Sequence, residues 1–140
     1  MEPKEKKSPV EIVQKLIAID TTRKEVSERM MKNNAASSMQ DKLKLVSAQS
    51  EKFVKSLLNE LSQFGDAVQS EVNHEDEYHE IWNKLLGNID NMQASSLEDT
   101  FKRSENSLIS IYSEFIDSYP DLPTTLHDLL SDQLKELKQT

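Results

Sequence analysis

The residues best able to do chemistry in this chain are imidazoles and carboxylates set one helical turn apart. Glu71-Val72-Asn73-His74 is a Glu-x-x-His string, Asp76 precedes His79 by three residues, and Glu75 precedes it by four. On a helix these spacings place both groups of a pair on one face, so a carboxylate and an imidazole can approach the same ion. That is half of a zinc or manganese site. Glu105, far along the chain, is a further candidate ligand. A complete di-iron carboxylate centre needs more: a glutamate from each of two helices and a Glu-x-x-His pair from each of two others. No long helical segment here contains that pair. The metal-ligating candidates are therefore Glu71, His74, Asp76, His79 and Glu105, with iron, manganese or zinc as the ions they could take. The simpler reading makes the crossover acids and histidines a solvated face, with polar residues such as Asp20 at the edges of the apolar stripes. On that reading Glu105 and Gln133 are hydrogen-bonded inside, and no cofactor is expected.

Other chemistries find less support. There is no Cys, hence no thiolate ligand, cysteine nucleophile or disulfide. Two separated glycines cannot build a phosphate-cradling loop or a Gly-x-Ser-x-Gly elbow. The 25 acidic against 17 basic residues, a net charge of −8, argue against a nucleic-acid partner. No apolar run reaches the ~18 residues that a membrane span requires. The opening Met1-Glu2-Pro3-Lys4-Glu5-Lys6-Lys7 lacks the apolar stretch of a secretory signal, so a cytoplasmic location is expected.

The elements that must position these residues are helices. Four Pro and two Gly supply too few turns for a sandwich, barrel or wound sheet. Ser8, Pro9 and Glu11 spell a capping box with proline in the first turn. Val10, Val13, Leu16, Ile17, Ile19, Val26 and Met30 then mark a helical face, predicting a helix over 9–33 after a frayed 1–8. A second helix is expected over 38–64, opening at Ser37 or Ser38 and striped by Met39, Leu43, Val46, Ser50, Phe53, Leu57, Leu61 and Phe64. A third is expected over 96–119, capped by Ser95 or Ser96 and stopped by Pro120. A fourth is expected over 123–139, with Asp128 placed to support a Thr125 cap.

Short links join the first helix to the second and the third to the fourth, forcing antiparallel neighbours. Residues 65–95 form a link too long to be structureless in a compact domain. Tyr78, Ile81, Trp82 and Leu85 predict a short amphipathic helix there, over 77–86, ended by Gly87. Tyr78 and Trp82, one turn apart, are the candidate interaction residues: they either dock a partner or pin the crossover to its own bundle. The fold class expected is all-α: a single four-helix bundle over 9–140, two antiparallel hairpins joined by one long crossover.

These strings resemble a known family. Ile12–Met30, Ser47–Leu61, Tyr78–Gly87, Ser104–Ile116 and Asp121–Leu137, in this order and spacing, are similar to the bacterial four-helix-bundle proteins of the ferritin-like superfamily gathered under domain of unknown function 2383. The resemblance covers about residues 10–138. It implies a ferritin-like bundle with a loose association with bacterial stress responses and no agreed activity. Two departures stand out. The family often has paired acids where this chain has Ala48 and Gln49, and it often continues its last helix to a histidine beyond the position of Thr140. The reading that follows is a non-enzymatic bundle protein with a stress-associated or binding role, which as a charged bundle can be a monomer, a homodimer or a subunit bound to a protein partner. The alternative is a metal-binding ferritin-like protein with redox or storage activity.

Overall fold

A computed structural model describes residues 8–64, 76–84 and 86–140. Among these residues five α-helices are seen: α1 (Pro9–Met31), α2 (Gln40–Ser62), α3 (Glu77–Asn83), α4 (Ala94–Ser118) and α5 (Thr124–Gln139). Two 3₁₀ turns, Asn34–Met39 and Leu86–Asn91, precede α2 and α4. The capping box forms as its sequence predicts. Ser8 Oγ accepts from the Glu11 N–H and the Glu11 carboxylate from the Ser8 N–H, both at 3.2 Å. Such a cap stabilises a helix start by about 1 kcal/mol.

The caps of the other long helices differ from expectation. α2 begins after Met39, and Ser37 and Ser38 stay exposed, because the chain leaves α1 through a 3₁₀ turn instead of an extended cap residue. Gln40 takes up part of the capping duty from the other side, its amide donating to the Met31 carbonyl at 2.9 Å. This satisfies a carbonyl that the end of α1 leaves without an intrahelical donor. α4 starts two residues before Ser96, with Gln93 at its cap, so Ser95 and Ser96 lie inside the first turn. α5 follows Pro123 with no side-chain cap, so the Thr125 cap is not made. α3 is shorter than expected, and Gly87 does not end it. The residue lies within the following 3₁₀ turn, whose Ile89 is fully buried.

Side-chain bonds between helices fix their directions. Gln40 of α2 reaches Met31 of α1, and Arg23 reaches Gln49 and Ser50. Higher numbers on one helix thus meet lower numbers on the other, and α1 and α2 run antiparallel. Arg23 to Glu105 and Asp20 to Tyr112 make α4 antiparallel to α1 as well. Lys52 to Glu136 and Gln49 to Thr140 make α5 antiparallel to α2. Hence α2 and α4 point the same way, and the chain must travel back between them. The described part of that return climbs beside α1. Asp76 sits at Lys15, His79 at Thr22, and the Ile89 and Met92 carbonyls accept from Asn33. The interval from Lys15 to Asn33 spans about 27 Å at the helical rise.

One apolar core runs through the bundle. α3 rests against both α1 and α4, burying Tyr78 and Trp82 almost completely. Burial of a large apolar side chain stabilises a fold by roughly 1.5–3 kcal/mol. Among the described residues, no helix is long and apolar enough to cross a membrane.

Candidate functional site

The apolar stripe of every long helix is interrupted once, and the interruptions meet. The buried apolar residues step from Ile19 to Val26 in α1, Val46 to Phe53 in α2, Phe101 to Leu108 in α4 and Leu130 to Leu137 in α5. Each step is one heptad, two turns, without a buried apolar side chain between. The gaps hold Asp20 and Arg23, Ser47 and Ser50, Ser104 and Ser107, and Gln133, all buried. Glu105 lies in the same α4 gap. The bundle thus contains a polar layer enclosed above and below by hydrocarbon.

Arg23 is the centre of that layer, with no exposed surface. Its Nε and Nη2 donate to the two Glu105 carboxylate oxygens at 2.9 and 2.6 Å. Its Nη1 donates to Gln49 Oε1 at 2.8 Å and to Ser50 Oγ at 3.1 Å. Four of the five guanidinium N–H groups are used this way, and the pair with Glu105 is the planar two-pronged geometry that makes such bonds strong. Glu105 holds the guanidinium firmly in its charged form despite burial.

Asp20 lies one turn before Arg23 and is fully buried. Its Oδ2 is 2.8 Å from the Tyr112 hydroxyl, and that hydroxyl is 2.8 Å from Gln133 Oε1. The Gln133 amide points its nitrogen at the Phe53 carbonyl, 3.4 Å away. Burial pushes the Asp20 carboxyl up to about 7, against the opposing pull of Arg23. Burial also raises the Tyr112 hydroxyl well above its ordinary value, with Asp20 adding to the effect.

A second polar cluster fastens α3. Asp76 is its N-cap and accepts from the His79 N–H at 2.7 Å. The same carboxylate lies 2.6 Å from His79 Nδ1 and 2.9 Å from Lys15 Nζ. On the far side of the ring, Nε2 is 2.8 Å from Thr22 Oγ1. Burial works against the Asp76 charge, but the bonds from His79 and Lys15 prevail and hold the carboxyl well below the usual range. The order hydroxyl, imidazole, carboxylate is that of a nucleophilic relay. Acyl transfer further requires N–H donors aimed at a developing oxyanion. Thr22 sits mid-helix, where its own N–H belongs to the α1 ladder. The cluster is a fastening between α3 and α1.

The residues singled out in the sequence are therefore spread over two places. Asp76 and His79 come together in the fastening, and Glu105 is in the central layer on Arg23. Glu71 and His74 lie outside the described residues. Among the described residues, no three His, Asp or Glu side chains converge as a metal site would require. Tyr78 and Trp82 turn into the bundle, 1% and 0% exposed. Glu105 and Gln133 are both hydrogen-bonded inside, as the simpler reading expects. Arg23 is not among the candidates singled out in the sequence. The signal for it was the missing apolar residue between Ile19 and Val26.

A shallow groove of about 350 Å³ lies between α2 and α5, lined by Ser56, Asn59, Glu60, Gln63, Thr125 and Leu129. Among the described residues, the large apolar side chains left exposed are Leu45 and Leu58 on α2, about 220° apart around the helix. They do not form one patch. Compared with known proteins, the chain matches no family model, no curated protein and no solved structure.

Proposed function

We propose that this chain is a non-enzymatic ferritin-like bundle protein with a binding role in a stress-associated setting. Its interior is occupied by its own cation. The ferritin-like part of the reading is supported by the helix directions: two antiparallel hairpins with α2 and α4 parallel, a connectivity that needs one long crossover, as ferritin-like bundles have. The stress-associated part rests on the resemblance of the five sequence strings. The observation that carries the non-enzymatic part is Arg23. Metal-carrying bundles of this kind turn inward carboxylates toward ions at mid-bundle. Here the inward Glu105 gives both oxygens to a guanidinium, and Gln49 and Ser50 face it from α2.

Elemental analysis of the protein purified aerobically with iron, manganese and zinc supplied tests this. The expected result is metal far below one ion per chain, removed by a brief chelator wash. Near-stoichiometric iron that survives the wash and disappears in Glu105→Ala overturns the reading in favour of redox or storage activity. Light scattering on the same preparation reports whether the binding role begins with a second copy of the chain.

A further inference from the structure

We propose that Asp20 is a buried proton-binding site: a neutral carboxylic acid whose O–H donates a hydrogen bond to the Tyr112 oxygen, while the Tyr112 O–H donates one to Gln133 Oε1.

The Tyr112 hydroxyl has one hydrogen and two oxygens at 2.8 Å, Asp20 Oδ2 and Gln133 Oε1. Gln133 is oriented by the Phe53 carbonyl, which its amide nitrogen faces. Reversing the amide would set its oxygen against that carbonyl. Gln133 Oε1 is therefore an acceptor, and Tyr112 supplies its hydrogen. The hydrogen between Asp20 and Tyr112 must then come from Asp20. The result is one directional chain from Asp20 through Tyr112 and Gln133 to Phe53, of the kind in which each bond polarises the next.

The charges around Asp20 favour the neutral acid as well. The titratable groups around Asp20 are Arg23 on α1, Tyr78 on α3, and Glu105 and Tyr112 on α4. Around the same layer α2 contributes Gln49, Ser50 and the Phe53 carbonyl, and α5 contributes Gln133. Arg23 and Glu105 cancel one another in a two-pronged pair. An ionised Asp20 would be a second, unmatched negative charge in a dry interior, where such charges are expensive. Its Oδ1 is buried and has no hydrogen-bond partner among the described residues. That is tolerable for the carbonyl oxygen of an acid and costly for a carboxylate. The displacement of the Asp20 carboxyl to about 7 has the same cause. Proton release near neutrality would charge the seam where α1, α4 and α5 meet, so the bundle is built to loosen as pH rises.

Carbon-13 NMR of the Asp side-chain carboxyls in the intact wild-type protein is the decisive measurement. The Asp20 signal is expected to titrate with a midpoint near 7, well above the ordinary aspartate range. A midpoint in the ordinary range overturns the proposal. Asp20→Asn supplies the same hydrogen to Tyr112 without a titratable group. Its melting temperature is expected to be flat between about pH 5 and 7, where the wild type's falls as pH rises. An unchanged slope in a folded Asp20→Asn protein counts equally against the site. If the variant does not fold, the wild-type midpoint still decides.

Discussion

Asp20 and Asp76 sit at opposite extremes of what a folded protein can do to the same side chain. Both lie against α1, Asp20 as one of its residues and Asp76 through Lys15. Asp76 has three partners: a backbone N–H, an imidazole and an ammonium. It keeps its charge far below the ordinary range. Asp20 has one partner, a phenol that must serve Gln133 as well, and loses its charge near neutrality. Burial penalises both, and the number of donors decides the outcome. The central layer and the α3 fastening are thus two different answers to burying polar groups. In one, a guanidinium saturates its acceptors and leaves a neighbouring acid without its charge. In the other, a carboxylate is saturated by donors.

The largest test of this contrast removes the saturating cation. Arg23→Met leaves Glu105 charged and unmatched, and is expected to cost about 3–5 kcal/mol in urea unfolding. Adding Glu105→Leu should restore most of that loss, because a well-packed apolar pair replaces a buried ion pair with little penalty. Recovery by the second substitution separates the charge imbalance from a simple packing defect. On the other side of the comparison, Trp82→Ala empties the apolar seat of α3 and is expected to cost about 3–4 kcal/mol. Hydrogen exchange should then show α3 opening while the central layer stays protected.

Stability against pH reads both carboxylates in one experiment. The Asp20 value is raised in the fold, so its contribution is complete below about pH 4 and is lost as pH rises through about 7. The Asp76 value is depressed, so its contribution is present above about pH 4 and is lost as pH falls below that. Chemical denaturation from pH 2 to 8 should give a maximum near pH 4–5. Asp76→Asn should flatten the acid limb alone. Smaller still, Asp76→Ala at neutral pH removes the α3 cap and its side-chain bonds and should cost about 1–2 kcal/mol. Lys15→Met, which leaves the cap intact, should cost under about 1 kcal/mol by the same measurement.

The helices were legible because their apolar steps of three and four are regular, and because Ser8, Pro9 and Glu11 form a cap from adjacent residues alone. Starts set by distant groups were not. α4 begins where Asn33 has drawn in the Ile89 and Met92 carbonyls, and nothing in Ser95 or Ser96 reports that contact. The short helix could be read from Tyr78 and Trp82, but the buried Ile89 beyond Gly87 could not, since a 3₁₀ turn leaves no apolar period. In the central layer, Glu105 and Gln133 could be placed inside because they interrupt their stripes. Arg23 could not be paired, because its partners lie 26, 27 and 82 residues away. A gap in a stripe shows that something polar is buried but not what it meets.

The alignment of the four gaps also has a bearing on which arrangement the chain selects. A bundle striped at near-heptad spacing can in principle slide one helix past its neighbours by two turns and keep oily surfaces in contact. Here such a slip would thrust the guanidinium of Arg23 against leucine and phenylalanine while stranding Glu105. The mismatch penalises every shifted alignment. Arg23 therefore works as a key cut for a single lock, excluding sliding alternatives that hydrocarbon alone would accept.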